Sequence, residues 1–285
     1  MILIAAAAVF FIAVMIRDNH RFVVRRYTVH SAKVSRRLTF VFVSDLHSKD
    51  YGEDNRKVVQ AIEDLSPDAV LCAGDLIIKR DAWNNKPGWI DTGASFARQI
   101  AGHFPFYLTD GNHEEKLCYR GERQEAYDDW CKAVKSAGAV KLHNKSIDFR
   151  SGVRITGLDL PRETYQKIKP YHMPEGMVED CIGRCDPEKF NLLITHNPKF
   201  FREYADWGAD LVVSGHVHGG LMRIGRLGMI GPDLHLFPRY SGGLYENRET
   251  GAHMVVTCGL GAHTLPIRIF NPGEISYIEI LPEKK

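Results

Sequence analysis

The chain has 285 residues, 44% hydrophobic and 25% charged, which is the composition of a globular protein with chain enough for a sizeable core. Its formal net charge is +2, but residues 17 to 37 hold Arg17, Arg21, Arg25, Arg26, Lys33, Arg36 and Arg37 against Asp18 alone, so the body that follows is slightly acidic. A nucleic-acid binder keeps positive charge on its folded domain, so the composition argues against nucleic acid as a partner.

The chain begins "MILIAAAAVFFIAVMI", an apolar run without a charged side chain. As a helix rising ~1.5 Å per residue it spans roughly 24 Å, and local bilayer thinning with snorkelling of Arg17 brings it across a hydrocarbon core of ~30 Å. A cleaved signal peptide wants positive charge before the run and a small-x-small site after it, whereas Ala5 to Ala8 come too early. Residues 1–17 are therefore expected to be a transmembrane anchor, 18–36 a basic juxtamembrane linker, and 37–285 the functional domain. Basic residues on the C-terminal side of the span place that domain on the cytoplasmic side, beside anionic headgroups.

From residue 38 strand-like and helix-like segments alternate. "LTFVFVS" (38–44) predicts a buried strand, "NRKVVQAIEDL" (55–65) a helix, "DAVLCAG" (68–74) a strand, "GASFARQIAG" a helix and "FPFYLT" (104–109) a strand. A helix across 120–137 follows, then strands in "VRITGLDL", "FNLLIT", "ADLVVSG", "HMVVTCGLG" and "ISYIEIL". The early alternation predicts βαβ units and the later run of strands a mixed α/β architecture. Residues 76–93 and 161–188 read as long irregular loops. Of six cysteines, Cys72 and Cys258 sit in apolar runs, and the C-x3-C spacing of Cys181 and Cys185 matches neither a zinc knuckle nor a redox pair; Cys118 and Cys131 lie in polar stretches.

Several apolar strands end abruptly in residues that bind metal. "VSDLHS" offers Asp45 and His47, "AGDL" Asp75, "DGNHEE" Asn112 and His113, "LLITHNP" His196, and "VVSGHVHGG" His216 and His218. Singly, each has a plain structural reading as a cap, a turn or a core histidine. Together they fit the crevice at the C-terminal ends of strands, where catalytic groups gather. Gly74, Gly111 and Gly215 precede ligands where the chain must turn sharply.

This ordered set resembles the calcineurin-like metallophosphoesterase superfamily, from about residue 38 to the C-terminus. "LFPRYSGGLY" and "GLGAHTLPIRIFNP" further resemble a membrane-associated bacterial subgroup related to UDP-2,3-diacylglucosamine pyrophosphatases, although Leu221 stands where that subgroup often has Gln. The resemblance implies a four-layer sandwich of two mixed β-sheets flanked by helices. It gives Asp45, His47 and His218 to one metal, Asn112, His196 and His216 to the other, Asp75 as bridge and His113 as general acid; the neighbouring Asp110 and Glu114 are the two candidates to orient that imidazole, and the sequence does not choose between them. Mixed nitrogen and oxygen ligands without thiolate suit Mn²⁺, with Fe or Zn²⁺ as alternatives. Two divalent cations ~3.5–4 Å apart clamp a phosphoryl group and lower the pKa of water between them.

The implied activity is hydrolysis of a phosphodiester or pyrophosphate, carried on a lipid or a lipid-linked nucleotide. A phosphoprotein phosphatase is the enzymatic alternative, but "LIIKRDA" after Asp75 lacks the V-D-R-G continuation of such enzymes. A catalytically silent membrane scaffold would be expected to have lost a ligand or the acid. Trp83, Trp89, Lys79 and Arg80 are candidates for a substrate entrance, Arg223, Arg226 and Arg239 for holding phosphate, and His263 is one further histidine of interest.

Overall fold

The computed structural model describes residues 2–166, 171–231, 235–262 and 266–283, so His263 lies outside the described residues. With elements numbered in chain order, one sheet holds β1 (Phe22–Ser31), β2 (Leu38–Val43), β3 (Ala69–Cys72), β4 (Phe106–Leu108), β5 (Val140–Lys141) and β14 (Gly273–Pro282). Its spatial order is β1-β14-β2-β3-β4-β5. The second sheet holds β6 (Lys145–Asp148), β7 (Val153–Leu158), β8 (Phe190–Thr195), β9 (Leu211–Ser214), β12 (Gly243–Glu246) and β13 (His253–Val256). Its order is β12-β13-β9-β8-β7-β6. A separate hairpin joins β10 (Arg223–Ile224) to β11 (Leu227–Gly228). Both sheets are mixed, with parallel centres (β2 to β5, and β7, β8, β9 and β13) and antiparallel pairs beside them.

The helices are α1 (Ile2–Asn19), α2 (Arg56–Leu65), α3 (Lys79–Trp83), α4 (Asp91–Ala101), α5 (Asn112–Cys118), α6 (Gln124–Ser136), α7 (Met177–Ile182) and α8 (Phe201–Trp207). The period-two geometry of β2 divides its side chains between two cores. Leu38, Phe40 and Phe42 cluster with Leu192, Ile194 and Val213 of the second sheet, while Val41 and Val43 cluster with Val58 and Ile62 of α2, Phe96 of α4 and Trp130 of α6. On β8 the split repeats, with Leu193 turned to Phe201 and Tyr204 of α8. Helices, sheet, sheet and helices form four layers, the α/β architecture expected.

The linker expected over 18–36 is for the most part a strand. Residues 22–31 pair in parallel with β14, from Phe22 opposite Gly273 to Ser31 opposite Pro282. Tyr27 and Val29 turn inward while Arg26, Thr28 and His30 face out, an edge strand whose basic outer face hides its alternation in the sequence. The stretches 76–93 and 161–188 carry the short helices α3 and α7 where irregular loops were expected. All six cysteines are free thiols.

Helix α1 is long and apolar enough to cross a membrane by length and composition, with 11% of it buried. Its last turn is tied to the domain. Asp18 is fully buried, receives Arg17 and Arg21 at 3.0 and 3.1 Å, and accepts the backbone N–H of Asn271 at 3.0 Å.

Candidate metal centre

Parallel strands point their C-terminal ends the same way, so the loops after β2, β3, β4, β8 and β9 converge. Asp45 Oδ1 stands 3.4 Å from His218 Nε2 and 3.8 Å from His196 Nε2. Asp75 Oδ2 stands 3.3 Å from His196 Nε2 and 3.7 Å from His47 Nε2, and the Nε2 atoms of His47 and His218 are 3.1 Å apart. One carboxylate oxygen of Asp75 thus lies between histidines of the two expected ligand sets. Its other oxygen accepts the His113 backbone N–H at 2.7 Å, which fixes its orientation. His216 donates its backbone N–H to Asp45 and packs its ring 5.0 Å from that of His196. All eight residues singled out in the sequence lie together.

The donor set fits a pair of cations. Asp45, His47 and His218 bring ligand atoms within 4.8 Å of one another, and so do Asp45, Asp75 and His196. Among the described residues, Asn112 Oδ1 is buried without a hydrogen-bond partner. A buried lone pair left unmatched is costly unless something binds it. The other nitrogens of the rings are occupied in the way metal-binding imidazoles require: His196 Nδ1 is 2.6 Å from the Ala73 carbonyl and His218 Nδ1 3.2 Å from that of Gly261.

The backbone bends sharply to make this cage. Asp45, His47, Asp75, His216 and His218 all have positive φ, between 48° and 70°, a region costly for residues with a Cβ and found where function holds strain. Gly74 shares it, at +86°. Gly215 is needed for space: a Cβ there would lie 2.3 Å from Asp45 Oδ2 and 2.4 Å from Ser44 Oγ.

The family model for calcineurin-like phosphoesterases matches residues 38–220, a span that takes in all eight of these residues. The chain belongs to this family. It is therefore a metal-dependent phosphoester hydrolase of a family that uses a dimetal centre. The uncharacterized metallophosphoesterase YkuE of Bacillus subtilis is 26% identical over 237 residues, covering 82% of this chain and 75% of that one. A transmembrane protein with a metallophosphoesterase domain from Danio rerio is 27% identical over 252 residues, covering 85% of this chain and 52% of that one. The solved structure of a dimetal phosphatase from Danio rerio aligns with a TM-score of 0.47 at 12% identity, covering 78% of this chain and 87% of that one.

Electrostatics in this calcineurin-like cage are set by burial and by close opposite charges. Burial pushes the Asp45 carboxyl up to about 6, against the pull of His196. Burial works the same way on Asp75, but His196, His113 and His47 overcome it and hold its pKa well below the usual carboxylate range. Burial disfavours charge on His196, yet Asp75 and Asp45 raise its pKa to about 9. A cation entering this cage therefore displaces protons from imidazole.

Several supporting residues were illegible in the sequence or misjudged. The Glu114 carboxylate accepts the backbone N–H groups of Asp75, Leu76, Ile77 and Gly111, so it clamps the Asp75 loop. Asp110 accepts the Tyr127 hydroxyl at 2.6 Å and pairs with Lys141 at 2.7 Å. The His113 ring accepts the Lys79 backbone N–H on Nδ1 at 3.0 Å. Arg223 is fully buried and donates to the carbonyls of Gly219, Ser241 and Arg226, which removes it as a phosphate holder. Asn271 carried no signal at all: its side chain donates to the carbonyls of His218 and Gly220 at 2.7 and 2.6 Å. Tyr165 is similar, packing its ring 5.2 Å from His216 and 5.9 Å from His196.

Proposed function

We propose that this protein is a membrane-anchored di-metal phosphoesterase that hydrolyses a phosphodiester or pyrophosphate carried on a lipid or lipid-linked nucleotide. One observation carries the di-metal part: Asp75 turns one oxygen between His196 Nε2, at 3.3 Å, and His47 Nε2, at 3.7 Å. Asp45, His47 and His218 would hold one cation and Asn112, His196 and His216 the other, with Asp75 shared between them and Mn²⁺ favoured by the donor types. When bound, the cations neutralise phosphoryl charge and make water acidic enough to attack at neutral pH.

The protein's own groups do the rest. With Nδ1 of His113 accepting from Lys79, the ring carries its proton on Nε2 and donates it as a hydrogen bond to the leaving oxygen. Full proton transfer as a general acid needs the imidazolium, and therefore release of the Lys79 contact. Tyr165, against the rings of His196 and His216, shields that side of the cage from water.

Helix α1 supports the anchor, and the basic residues that follow it favour a cytoplasmic catalytic domain. The resemblance to UDP-2,3-diacylglucosamine pyrophosphatases supports a lipid-linked substrate, with Leu221 as a point where specificity departs. The test is the full chain in detergent with Mn²⁺, assayed on paired aryl phosphate diesters and monoesters. Diester hydrolysis is expected. Asp75→Asn should lower it by roughly 10³-fold, since the cations contribute several kcal/mol to transition-state stabilisation. Cleavage of the monoester alone would turn the reading to a phosphatase, and two bound metals without turnover of either ester would turn it to a scaffold.

A further inference from the structure

Outside α1, five of the nine large apolar side chains left exposed among the described residues follow the metal-site loop or lie against its hairpin. Ile224 is 61% exposed, Leu227 48%, Leu236 67%, Phe237 52% and Phe270 41%. The first two flank the turn of the β10–β11 hairpin, and Leu236 joins it through a bridge to Ile230, while Phe237 donates its N–H to the Met229 carbonyl. Exposed Arg226 and Arg239 stand among them. Contiguous apolar surface rimmed by basic residues marks a contact with something apolar and anionic.

The rim is bound rigidly to α1. Met222 bridges Ile269, and the N–H of Arg223 donates to the Ile269 carbonyl at 3.0 Å. Next along the chain, the Phe270 ring lies 6.3 Å from those of both Phe10 and Phe11. Phe10 precedes Asp18 by two helical turns, about 12 Å at ~1.5 Å per residue. Any bilayer that buries Phe10 and Phe11 must therefore also reach Phe270, and the hairpin laddered to it. The same hairpin is held to the metal loop by the Arg223 guanidinium on the Gly219 carbonyl. A small pocket of about 10 Å³, room for a single water, lies here, lined by Val217, Leu221, Ala262 and Ile267 together with His218 and Arg268.

We propose that Ile224, Leu227, Leu236, Phe237 and Phe270 form a second membrane contact, seated at the headgroup–acyl boundary of an anionic bilayer with Arg226 and Arg239 on lipid phosphates. This rests on the membrane-anchor reading and deepens it. The metal site then opens along the lipid surface, and the substrate is a phosphoester presented by a lipid in the same leaflet.

The experiment is photo-crosslinking of the full chain in vesicles of phosphatidylglycerol and phosphatidylethanolamine. The photoreactive residue p-benzoylphenylalanine replaces Leu227, Leu236, Phe10 or Val140 in turn, with adducts identified by mass spectrometry. Val140, 41% exposed on β5 at the opposite edge of its sheet, is the background. Lipid adducts at 227 and 236 are expected at about tenfold the Val140 level, comparable with those at Phe10. Adducts at Phe10 alone would overturn the second contact while leaving the anchor standing. Adducts at none of the three would remove the anchor and this contact together. Crosslinks from 227 and 236 to another copy of the chain, without lipid, would make the rim a self-association surface and overturn the proposal.

Discussion

At the strand ends, Asp45, His47, Asp75, Asn112, His196 and His218 are withdrawn from water, while a few residues further along Ile224, Leu227, Leu236 and Phe237 are pushed into it. Both regions reverse the usual distribution of polarity, and buried polar groups or exposed apolar ones are the informative exceptions. They differ in how they are supported. His196 and His218 of the cage are braced by backbone carbonyls and Asp45 by the His216 N–H, and five of its residues hold backbone in a costly conformation. The rim side chains contribute little to the fold, so their environment is to be sought outside the chain. Strain paired with bracing points to chemistry within the protein; exposure without bracing points to a surface it meets.

Substitutions test that contrast. His113→Ala should lower turnover by about 10²-fold on an ester with a poor leaving group, the lower end of what proton donors contribute, and much less on an activated aryl ester. A plot of rate against leaving-group pKa for both proteins checks this, and parallel lines would remove His113 from the leaving oxygen. Asn271→Ala takes away two donors to the metal-loop carbonyls without touching a ligand. Outer partners of ligands contribute 10- to 100-fold in metal affinity, so calorimetric titration with Mn²⁺ should show a loss of about tenfold.

Farther out, His143 lies 2.5 Å from Asp159, whose other oxygen accepts the Asp110 N–H in front of Asn112. The hydrogen bond to Asp159 raises the His143 pKa above its ordinary value of 6.5. The folded state thus holds this proton more tightly. The stabilisation is fully present below pH 6.5 and is lost as pH rises through the higher folded value. His143→Gln should therefore cost more stability at pH 5.5 than at pH 9, by less than about 1 kcal/mol because the side chain is largely exposed. Denaturant titrations at the two pH values read the difference, and an equal cost at both would leave the pair without a linked proton. Last, Leu227→Ser with Leu236→Ser should change stability in detergent by no more than about 0.5 kcal/mol, as ordinary surface substitutions do. A large drop in melting temperature would mean that the rim is braced after all, and the contrast with the cage would fail.

The cage was legible because its chemistry is written in short blocks. Asp45 and His47, or His216 and His218, sit two apart at the end of an apolar strand, and that local pattern survives without coordinates. The architecture was legible for the same reason: alternating and continuous apolar runs report which faces of β2 or β8 meet a core. Strand β1 was missed because Arg25 and Arg26 make an edge strand look like a solvated linker, and only pairing with β14 satisfies its backbone. Glu114, Asn271 and Arg223 were missed or misassigned because each acts on backbone groups from other loops. Side-chain type alone cannot say whether a buried Arg meets phosphate or a carbonyl. The sequence by itself determined which residues could hold metals and that the chain alternates into an α/β sandwich, since both follow from local periodicity and ligand chemistry. The tertiary structure decided which oxygen of Asp75 faces which histidine, which nitrogen of His113 keeps the proton, and how α1 is tied through Asp18 and Asn271 to the metal loop. Those are contacts between residues far apart in the chain, whose geometry is fixed by packing and not by neighbours in sequence.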